Sequence, residues 1–473
     1  MKIGFNQKFL KSLLEKDKSL VSTDFALNWI RRQNEVIEVE IDQIPFSKLK
    51  NWDFDNNSLK HESGHFFSID GLEITTNYGA VNTWNQPIIN QPEIGYLGLI
   101  TKEFNGVLHF LMQAKVEPGN INFVQLSPTL QATKSNYLRV HKGNPPPYLE
   151  YFQKANKNNI LLDQLQSEQG GRFLKKRNRN IIITIEEDIE VLENFIWLTL
   201  AQIKELMQLD NIVNMDTRTV LSGIPIGGFN FESLNLIRGF SGLPISKFAN
   251  GLLKSSSFDI EGVNSINDII LFITHQKCKF DLQITQIPLF SLNDWIIEES
   301  KIRHIENKYF EIIATDIKIG NREVVSWTQP MVKPVQEGIC AFVCKNIDGV
   351  LHFLVQAKLE CGNFDIIEFA PTVQSLTGNY KNDYSIKNLP YLDYVINVKK
   401  DEIIFDTFQS EEGGRFYQEQ NRNMIILAND DFPEETSENF IWMTYNQLQT
   451  FIKHNNYINI QARSLMAALS YNL

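Results

Sequence analysis

Residues 106–115 read Gly-Val-Leu-His-Phe-Leu-Met-Gln-Ala-Lys, and residues 349–358 repeat this stretch with one residue changed. The shift between the two copies is 243 residues, and it holds without a gap over about 160 residues of each half. At the same shift, further strings match: Trp84-x-Gln86-Pro87 with Trp327-x-Gln329-Pro330, and Gln166-Ser167-Glu168-x-Gly170-Gly171-Arg172-Phe173 with Gln409-Ser410-Glu411-x-Gly413-Gly414-Arg415-Phe416. A period this long far exceeds that of a solenoid repeat, so the sequence predicts tandem duplication of a whole domain.

The duplication divides the chain into three predicted segments. Residues 1–222 form the first repeat, and residues 265–473 form the second. Residues 223–264 are rich in Gly and Ser and have no counterpart after the second repeat, which indicates a connector with a short helix near 245–254.

Secondary structure patterns point to the α+β class. Apolar and polar residues alternate over 106–115, which is the clearest predicted strand. Residues 194–208 and 437–453 instead predict helices whose apolar stripes include Trp197 and Trp442. Strands with interspersed helices in each half are typical of an α+β fold.

Bulk composition excludes several classes of function. The chain has 473 residues, of which 43% are hydrophobic and 21% charged, as in ordinary globular proteins. A net charge of −11 without a basic block argues against nucleic acid as a partner. No apolar run reaches membrane-spanning length, and charges within Met1–Leu20 argue against a signal peptide, so a cytoplasmic protein is expected. All four cysteines lie in the second half, which favours reduced thiols over disulfides of a shared fold.

One face of the predicted 106–117 strand carries polar residues that are kept in both repeats. Period two places His109, Gln113, Lys115 and Glu117 on that face, and the second repeat has the same four residue types. This conservation between repeats indicates either a polar cavity around a ligand or a buried network that ties the sheet to a helix. The residue types alone leave both interpretations open.

Two other stretches contain candidates for anion binding. Arg172 offers a planar fork for phosphate, and Glu168 is either its structural partner or a reactive carboxylate. In the loop after Gln131, the cationic or near-cationic residues of the first repeat are replaced in the second: Lys134 by Thr377, Arg139 by Asn382, His141 by Tyr384. This loss favours an anion site in the first repeat over ordinary solvated loop charge.

The motifs, in their order and spacing, resemble the NDP-hexose 2,3-dehydratases. The strings that carry the resemblance are Trp84-x-Gln86-Pro87, Asn90 to Gly95, residues 106–120, residues 126–133 and residues 166–170. The resemblance covers nearly the whole chain and implies two Nudix-like domains per subunit and a homodimer. It also implies removal of the C-2 hydroxyl of a dTDP-4-keto-6-deoxyglucose. The Nudix metal box is absent from both repeats, which argues against metal-dependent diphosphate hydrolysis.

The resemblance and the residue types together give a candidate site in the first repeat, built mainly by residues 60–180. The candidate catalytic residues are Glu117, His109, Lys115, Tyr137 and Glu168. The candidate substrate-binding residues are Trp84, Gln113, Gln131, Lys134, Arg139, His141 and Arg172. No cofactor is expected, a divalent metal is left open, and a nucleotide-sugar binding module without catalysis is the alternative function. The second repeat is expected to hold a degenerate or auxiliary pocket.

Overall fold

The computed structural model of this chain describes residues 3–15, 18–133, 145–235, 246–320, 325–376 and 389–473. In the first repeat the elements are α1 (Ile3–Leu14), α2 (Thr23–Val36), β1 (Val39–Ile44), β2 (Trp52–Phe54), β3 (Ser58–His61), β4 (Ser68–Thr76), β5 (Thr83–Asn90), β6 (Gly95–Phe104), β7 (Val107–Val116), β8 (Val124–Ser127), β9 (Leu130–Ala132), α3 (Leu149–Gln153), β10 (Ile160–Ser167), β11 (Phe173–Leu174), β12 (Arg177–Thr184), β13 (Phe195–Thr199), α4 (Leu200–Leu206) and α5 (Met215–Ser222).

The connector contains α6 (Lys247–Ser256), close to the short helix that the sequence predicts there. The second repeat contains α7 (Ile266–Lys279), β14 (Leu282–Ile287), β15 (Trp295–Ile297), β16 (Lys301–His304), β17 (Phe310–Ile319), β18 (Ser326–Pro334), β19 (Gly338–Ile347), β20 (Val350–Leu359), β21 (Ile367–Ala370), β22 (Val373–Ser375), α8 (Leu392–Ile396), β23 (Ile403–Ser410), β24 (Gln420–Leu427), β25 (Phe440–Thr444), α9 (Tyr445–Phe451) and α10 (Ile460–Ala468). The predicted α+β class and the tandem duplication are confirmed.

Each repeat contributes one seven-stranded mixed sheet. In the first repeat the order is β10-β12-β6-β7-β13, with β8 on β7 and β9 on β6, and the second repeat has the same arrangement. The central strand β7 is buried on both faces because Leu108, Phe110 and Met112 face a large core packed with helices. Leu111 faces a second, aromatic core on the other side.

The two repeats exchange a strand reciprocally. Strand β1 of the first repeat runs antiparallel to β17 of the second, with Val39 opposite Ile319. Its counterpart β14 runs antiparallel to β4 of the first repeat, with Leu282 opposite Thr76. The sheets that contain β4 and β17 are consequently each completed by the other half of the chain, and one hydrophobic core draws residues from both repeats.

The predicted helices over 194–208 and 437–453 are wrong in their first part. The structure has β13 and β25 there, followed by the short helices α4 and α9. All five residues of β13 are buried, which leaves no polar face for a surface helix, and aromatic and branched residues favour the extended form. Thr199 then starts α4, since its hydroxyl accepts from the backbone N–H of Gln202 at 3.3 Å.

Within the described residues, none of the helices is long and apolar enough to cross a lipid bilayer.

Candidate active site

A cavity of about 760 Å³ lies where the two repeats meet. Strand β7 and the segments around it form one wall, and the Gly-Gly-Arg-Phe segment and β18 of the second repeat form another. The polar and aromatic lining residues include, from the first repeat, Trp52, His61, Phe66, Phe67, Gln91, Gln113, Lys115, Glu117, Gln131, Glu168, Lys176, Asn178 and Asp216; from the second, they include Trp327, Gln329, Glu412 and Arg415. The site is therefore composite, and it extends beyond the expected 60–180 region.

Strand β7 brings three of the four expected polar residues into this cavity. Gln113, Lys115 and Glu117 line it, and a hydrogen-bond network holds two of them. The Gln131 amide donates to Glu117 Oε1 at 2.6 Å, while the Lys115 ammonium donates to the Gln131 carbonyl at 3.2 Å. The residues that line the cavity are thus also tied to one another by hydrogen bonds.

His109 does not reach the cavity, although it precedes Gln113 on the same strand. It is fully buried against Phe104, with ring centroids 5.4 Å apart, and its Nδ1 lies 2.9 Å from the Val107 carbonyl oxygen. Burial lowers the pKa of this imidazole. His109 therefore lies against Phe104 and is not among the residues that line the cavity.

Glu168 lies at the floor of the cavity, held by its neighbours in the sheet. Asn178 donates to Glu168 Oε1 at 2.7 Å, and the Glu168 backbone N–H donates to the Lys176 carbonyl at 3.0 Å. Burial raises the pKa of the Glu168 carboxyl, and the charges of Arg463 and Lys176 oppose that effect. For the Lys176 ammonium, burial lowers the pKa; this group donates to the Glu93 carbonyl oxygen. Glu168 and Arg172, both of them described residues, do not form the structural ion pair that was one of the two predicted arrangements.

Two further carboxyl groups of the cavity were missed by the sequence reasoning. Asp216 lies in the first turn of α5, and Glu412 accepts from the Gly414 backbone N–H at 2.9 Å. Burial raises the pKa of Asp216 well above its ordinary value, and the negative charges of Glu117 and Glu412 act in the same direction. Burial and the charge of Glu117 raise the pKa of Glu412 to about 7, against the charge of Arg415.

The comparison between repeats contained a signal for both acids. Glu412 matches Gln169 at the variable position inside the Gln-Ser-Glu-x-Gly-Gly motif, and Asp216 matches Gln461. Each is an acid that one repeat has and the other replaces with an amide. That difference was visible in the sequence, but nothing in the sequence places both acids in one cavity.

Trp84 and Arg172 were expected to bind substrate, but they do not line the cavity. Their second-repeat counterparts, Trp327 and Arg415, line it instead. Arg415 lies over the ring of Phe67 at 4.4 Å, and Trp327 donates to Gln329 Oε1 at 3.0 Å; all four line the cavity. Trp84 instead packs against a small apolar core that includes Cys361. The strand exchange produces this result, since β5 and β18 both belong to sheets that cross between the repeats.

Four of the expected residues, Lys134, Tyr137, Arg139 and His141, lie outside the described residues. The described segments nearest to them, at Thr133 and Pro146, line the cavity. In the described part of the chain, no group of three or more His, Cys, Asp or Glu side chains is arranged to hold a metal ion.

Comparison with known proteins agrees with this composite architecture of two similar halves. The family model for NDP-hexose 2,3-dehydratase matches twice, over residues 23–224 and 266–469. The chain belongs to the NDP-hexose 2,3-dehydratase family.

Curated relatives in this 2,3-dehydratase family match along almost the full chain. A dTDP-4-dehydro-6-deoxy-alpha-D-glucopyranose 2,3-dehydratase of Saccharopolyspora spinosa is 43% identical over 465 residues, which cover 98% of this chain and 94% of the relative. Proteins with the same description from Amycolatopsis orientalis and Streptomyces violaceoruber are 38% and 40% identical over 95% and 93% of this chain, and over 90% and 95% of their own lengths.

In this member of the 2,3-dehydratase family, the equivalent region of the second repeat has a different set of charges. Arg172 lies over Phe310 at 4.1 Å. Burial raises the pKa of the Glu360, Glu411 and Glu419 carboxyls, and the charge of Arg172 opposes that effect. Glu419 stands where the first repeat has Lys176. This region thus keeps a Glu and an Arg of the shared motif, but it has Gln461, Gln169 and Glu419 where the cavity has Asp216, Glu412 and Lys176.

Proposed function

We propose that this protein removes water from dTDP-4-keto-6-deoxyglucose, the substrate in the names of its relatives, to give a 3,4-diketo-2,6-dideoxysugar nucleotide. The observation that carries the proposal is the cavity between the repeats, which four carboxyl groups and three lysines line. Its volume of about 760 Å³ lies in the range of small-molecule sites. No redox cofactor is needed for this elimination.

The first step is removal of the C-3 proton. The C-4 ketone acidifies this proton, and its removal forms an enolate whose charge is spread onto the ketone oxygen. We assign the base to Glu117, which is held in place by the Gln131 amide at 2.6 Å. Of the cations that line the cavity, we assign the ammonium groups of Lys115 and Lys176 to stabilise the enolate oxygen.

The second step is departure of the C-2 hydroxyl, which lies β to the ketone. A proton from an acid converts the hydroxyl to water as the C-2–oxygen bond breaks and the C-2–C-3 double bond forms. The resulting enol then takes a proton at C-2, gives up the proton of its C-3 hydroxyl and becomes the C-3 ketone, so that the net loss is one water. We assign the acid to Glu412, whose raised pKa keeps it partly protonated near neutrality.

The nucleotide end of the substrate requires cations and an aromatic surface. Arg415 offers a guanidinium at the cavity wall, where it rests on Phe67, and Trp327 offers a ring for the nucleobase. Lys134, Arg139 and His141 stay predicted diphosphate contacts, and Tyr137 stays a candidate for proton transfer. The predicted Nudix-like fold of each repeat, the homodimer and the cytoplasmic location also belong to this proposal, with light scattering as the test of the dimer.

Incubation with dTDP-4-keto-6-deoxyglucose in deuterated buffer, followed by mass spectrometry, tests the proposal. The dehydrated diketone, or free dTDP with a sugar fragment derived from it, is expected, with deuterium at C-2. A substrate that binds but never loses water or exchanges its C-3 proton would identify a binding module instead. A Glu117→Ala variant should bind the nucleotide sugar and fail to exchange that proton; full activity in this variant would refute the assigned base.

A further inference from the structure

A fully buried arginine of the second repeat reaches the segment that carries Glu168 from behind the cavity. Arg463 lies on α10, which packs against α5 of the first repeat. Its Nε donates to Thr219 Oγ1 at 3.0 Å, its Nη1 donates to the Ile458 carbonyl at 2.6 Å, and its Nη2 donates to the carbonyl of Ser167. Arg463 is not among the residues that line the cavity.

The contact at Ser167 fixes the residue directly before Glu168. Ser167 is buried, and its hydroxyl donates to Glu368 Oε2 at 2.9 Å. Arg463 therefore binds the backbone, and Glu368 binds the side chain, of a single residue at the end of β10. An arginine without solvent contact is costly to bury, and its planar fork is satisfied here by groups of three different segments.

We propose that Arg463 is a positioning residue that holds Glu168 in the orientation needed for catalysis. The fork sets where the Ser167 carbonyl lies, and the adjacent Glu168 carboxyl is thereby aimed into the cavity. This inference rests on the proposed function and adds a role to it: the Glu168 carboxylate takes part in proton transfer beside the assigned base Glu117 and the assigned acid Glu412.

The charge of Arg463 gives this role a signature that structural support alone would lack. Among the described residues, the charges of Arg463 and Lys176 lower the pKa of Glu168, whereas Asp216 and Glu412 repel the Glu168 carboxylate when they are ionised. Arg463 is the largest of the influences that favour the carboxylate form. Its removal should therefore raise the pKa of Glu168.

The other repeat supplies a matched residue. Arg218 on α5 is equally buried, donates to the Ser410 carbonyl and to Ser464 Oγ at 2.6 Å, and so holds the segment before Glu411. Glu411 does not line the cavity. The two arginines thus have similar structural roles but serve different carboxyl groups.

The test compares the pH profiles of kcat/KM for wild type, Arg463→Gln, Arg463→Lys and Arg218→Lys, with thermal unfolding of each. We expect Arg463→Gln to lower kcat by about tenfold or more and to move the acid limb upward by about one pH unit. Arg463→Lys keeps the positive charge, so its acid limb should lie near that of wild type. It should recover only part of kcat, because a lysine lacks the planar fork of the guanidinium. Arg218→Lys should lose about as much stability as Arg463→Lys but leave the acid limb at its wild-type pH.

Two controls keep the outcome decisive. In a Glu168→Gln background, Arg463→Gln should reduce kcat no further, since the group that it positions is gone. The inference would be overturned if the acid limb of the pH profile lay at the same pH in wild type and Arg463→Gln. It would also be overturned if the effects of Arg463→Gln and Glu168→Gln on kcat were fully additive. If Arg463→Gln does not fold, Arg463→Lys still decides: an unchanged kcat in this variant overturns the inference. If wild type itself forms no diketone, the proposed function fails; titration of the Glu168 carboxyl by infrared difference spectroscopy then still tests the effect of Arg463.

Discussion

Arg415 of the second repeat lies on the ring of Phe67 of the first, with its guanidinium carbon 4.4 Å from the ring centroid. The reciprocal pair, Arg172 on Phe310, has the same geometry at 4.1 Å. Each repeat therefore supplies the arginine for the other's site. The pairing follows from the exchange of β1 and β14, which brings the two Gly-Gly-Arg-Phe segments across the boundary.

The exchanged arginines should differ sharply in their effect on substrate binding. Arg415→Lys removes a planar fork at the cavity, so we expect KM for the nucleotide sugar to rise by about tenfold with a smaller change in kcat. Arg172→Lys alters the equivalent position of the second repeat and should change KM by about twofold or less. Steady-state kinetics on both variants check this, and a larger effect at Arg172 would contradict the assignment of the site to the first-repeat cavity.

Replacement of the acid contributed by the second repeat should abolish most of the chemistry. Glu412→Gln keeps the shape of the side chain but removes the proton assigned to the C-2 hydroxyl, so we expect kcat to fall by about 100-fold or more. Exchange of the C-3 proton in deuterated buffer should persist, because the base is a different residue. Glu419→Gln, a buried acid of the second repeat that does not line the cavity, serves as the control. Loss of C-3 exchange in Glu412→Gln would instead make Glu412 the base.

The order of motifs along the chain could predict the duplication, the α+β class and the polar face of β7. It could not predict which copy of a motif faces which cavity, because strand exchange depends on pairing between residues more than 200 positions apart. Trp84 and Arg172 were therefore assigned to the first-repeat site, where Trp327 and Arg415 lie. His109 shows a different limit. Alternation along a strand predicts which residues share a face, but it does not predict that one end of this face packs against aromatic residues while the other end lines the cavity.

The raised pKa of Glu412 predicts a pH dependence of both rate and stability. The acid must be protonated to act, so the rate should fall as the pH rises through about 7. The folded state also holds this proton more tightly than the unfolded state, whose carboxyl titrates near its ordinary value. The free energy of unfolding should thus decrease as the pH rises from about 4.5 through 7. Glu412→Gln removes this contribution, so its melting temperature relative to wild type should be higher at pH 8 than at pH 5; differential scanning calorimetry at the two values checks the sign.

The crossing of the two repeats behind the cavity depends on a glycine in each. The Gly119 backbone N–H donates to the Gly413 carbonyl at 2.7 Å, and a Cβ added at Gly119 would lie 1.6 Å from the Phe416 carbonyl oxygen. Gly362, its counterpart, meets the Phe173 carbonyl oxygen in the same way at 1.9 Å. No rotamer change can relieve such an overlap, because the obstructing atoms belong to the backbone.

Gly119→Ala should consequently displace the segment that carries Glu412 and Arg415. We expect the free energy of unfolding to fall by about 3 kcal/mol, with a loss of activity in the protein that still folds. Urea unfolding and kinetics measure the two effects. Gly320→Ala is the control, since among the described residues the nearest atom to a Cβ there is Glu38 Cβ at 3.8 Å, so the change should leave both quantities nearly unchanged. A stable and active Gly119→Ala variant would mean that the repeats approach each other less closely than this, and that Arg415 reaches the cavity without the crossing.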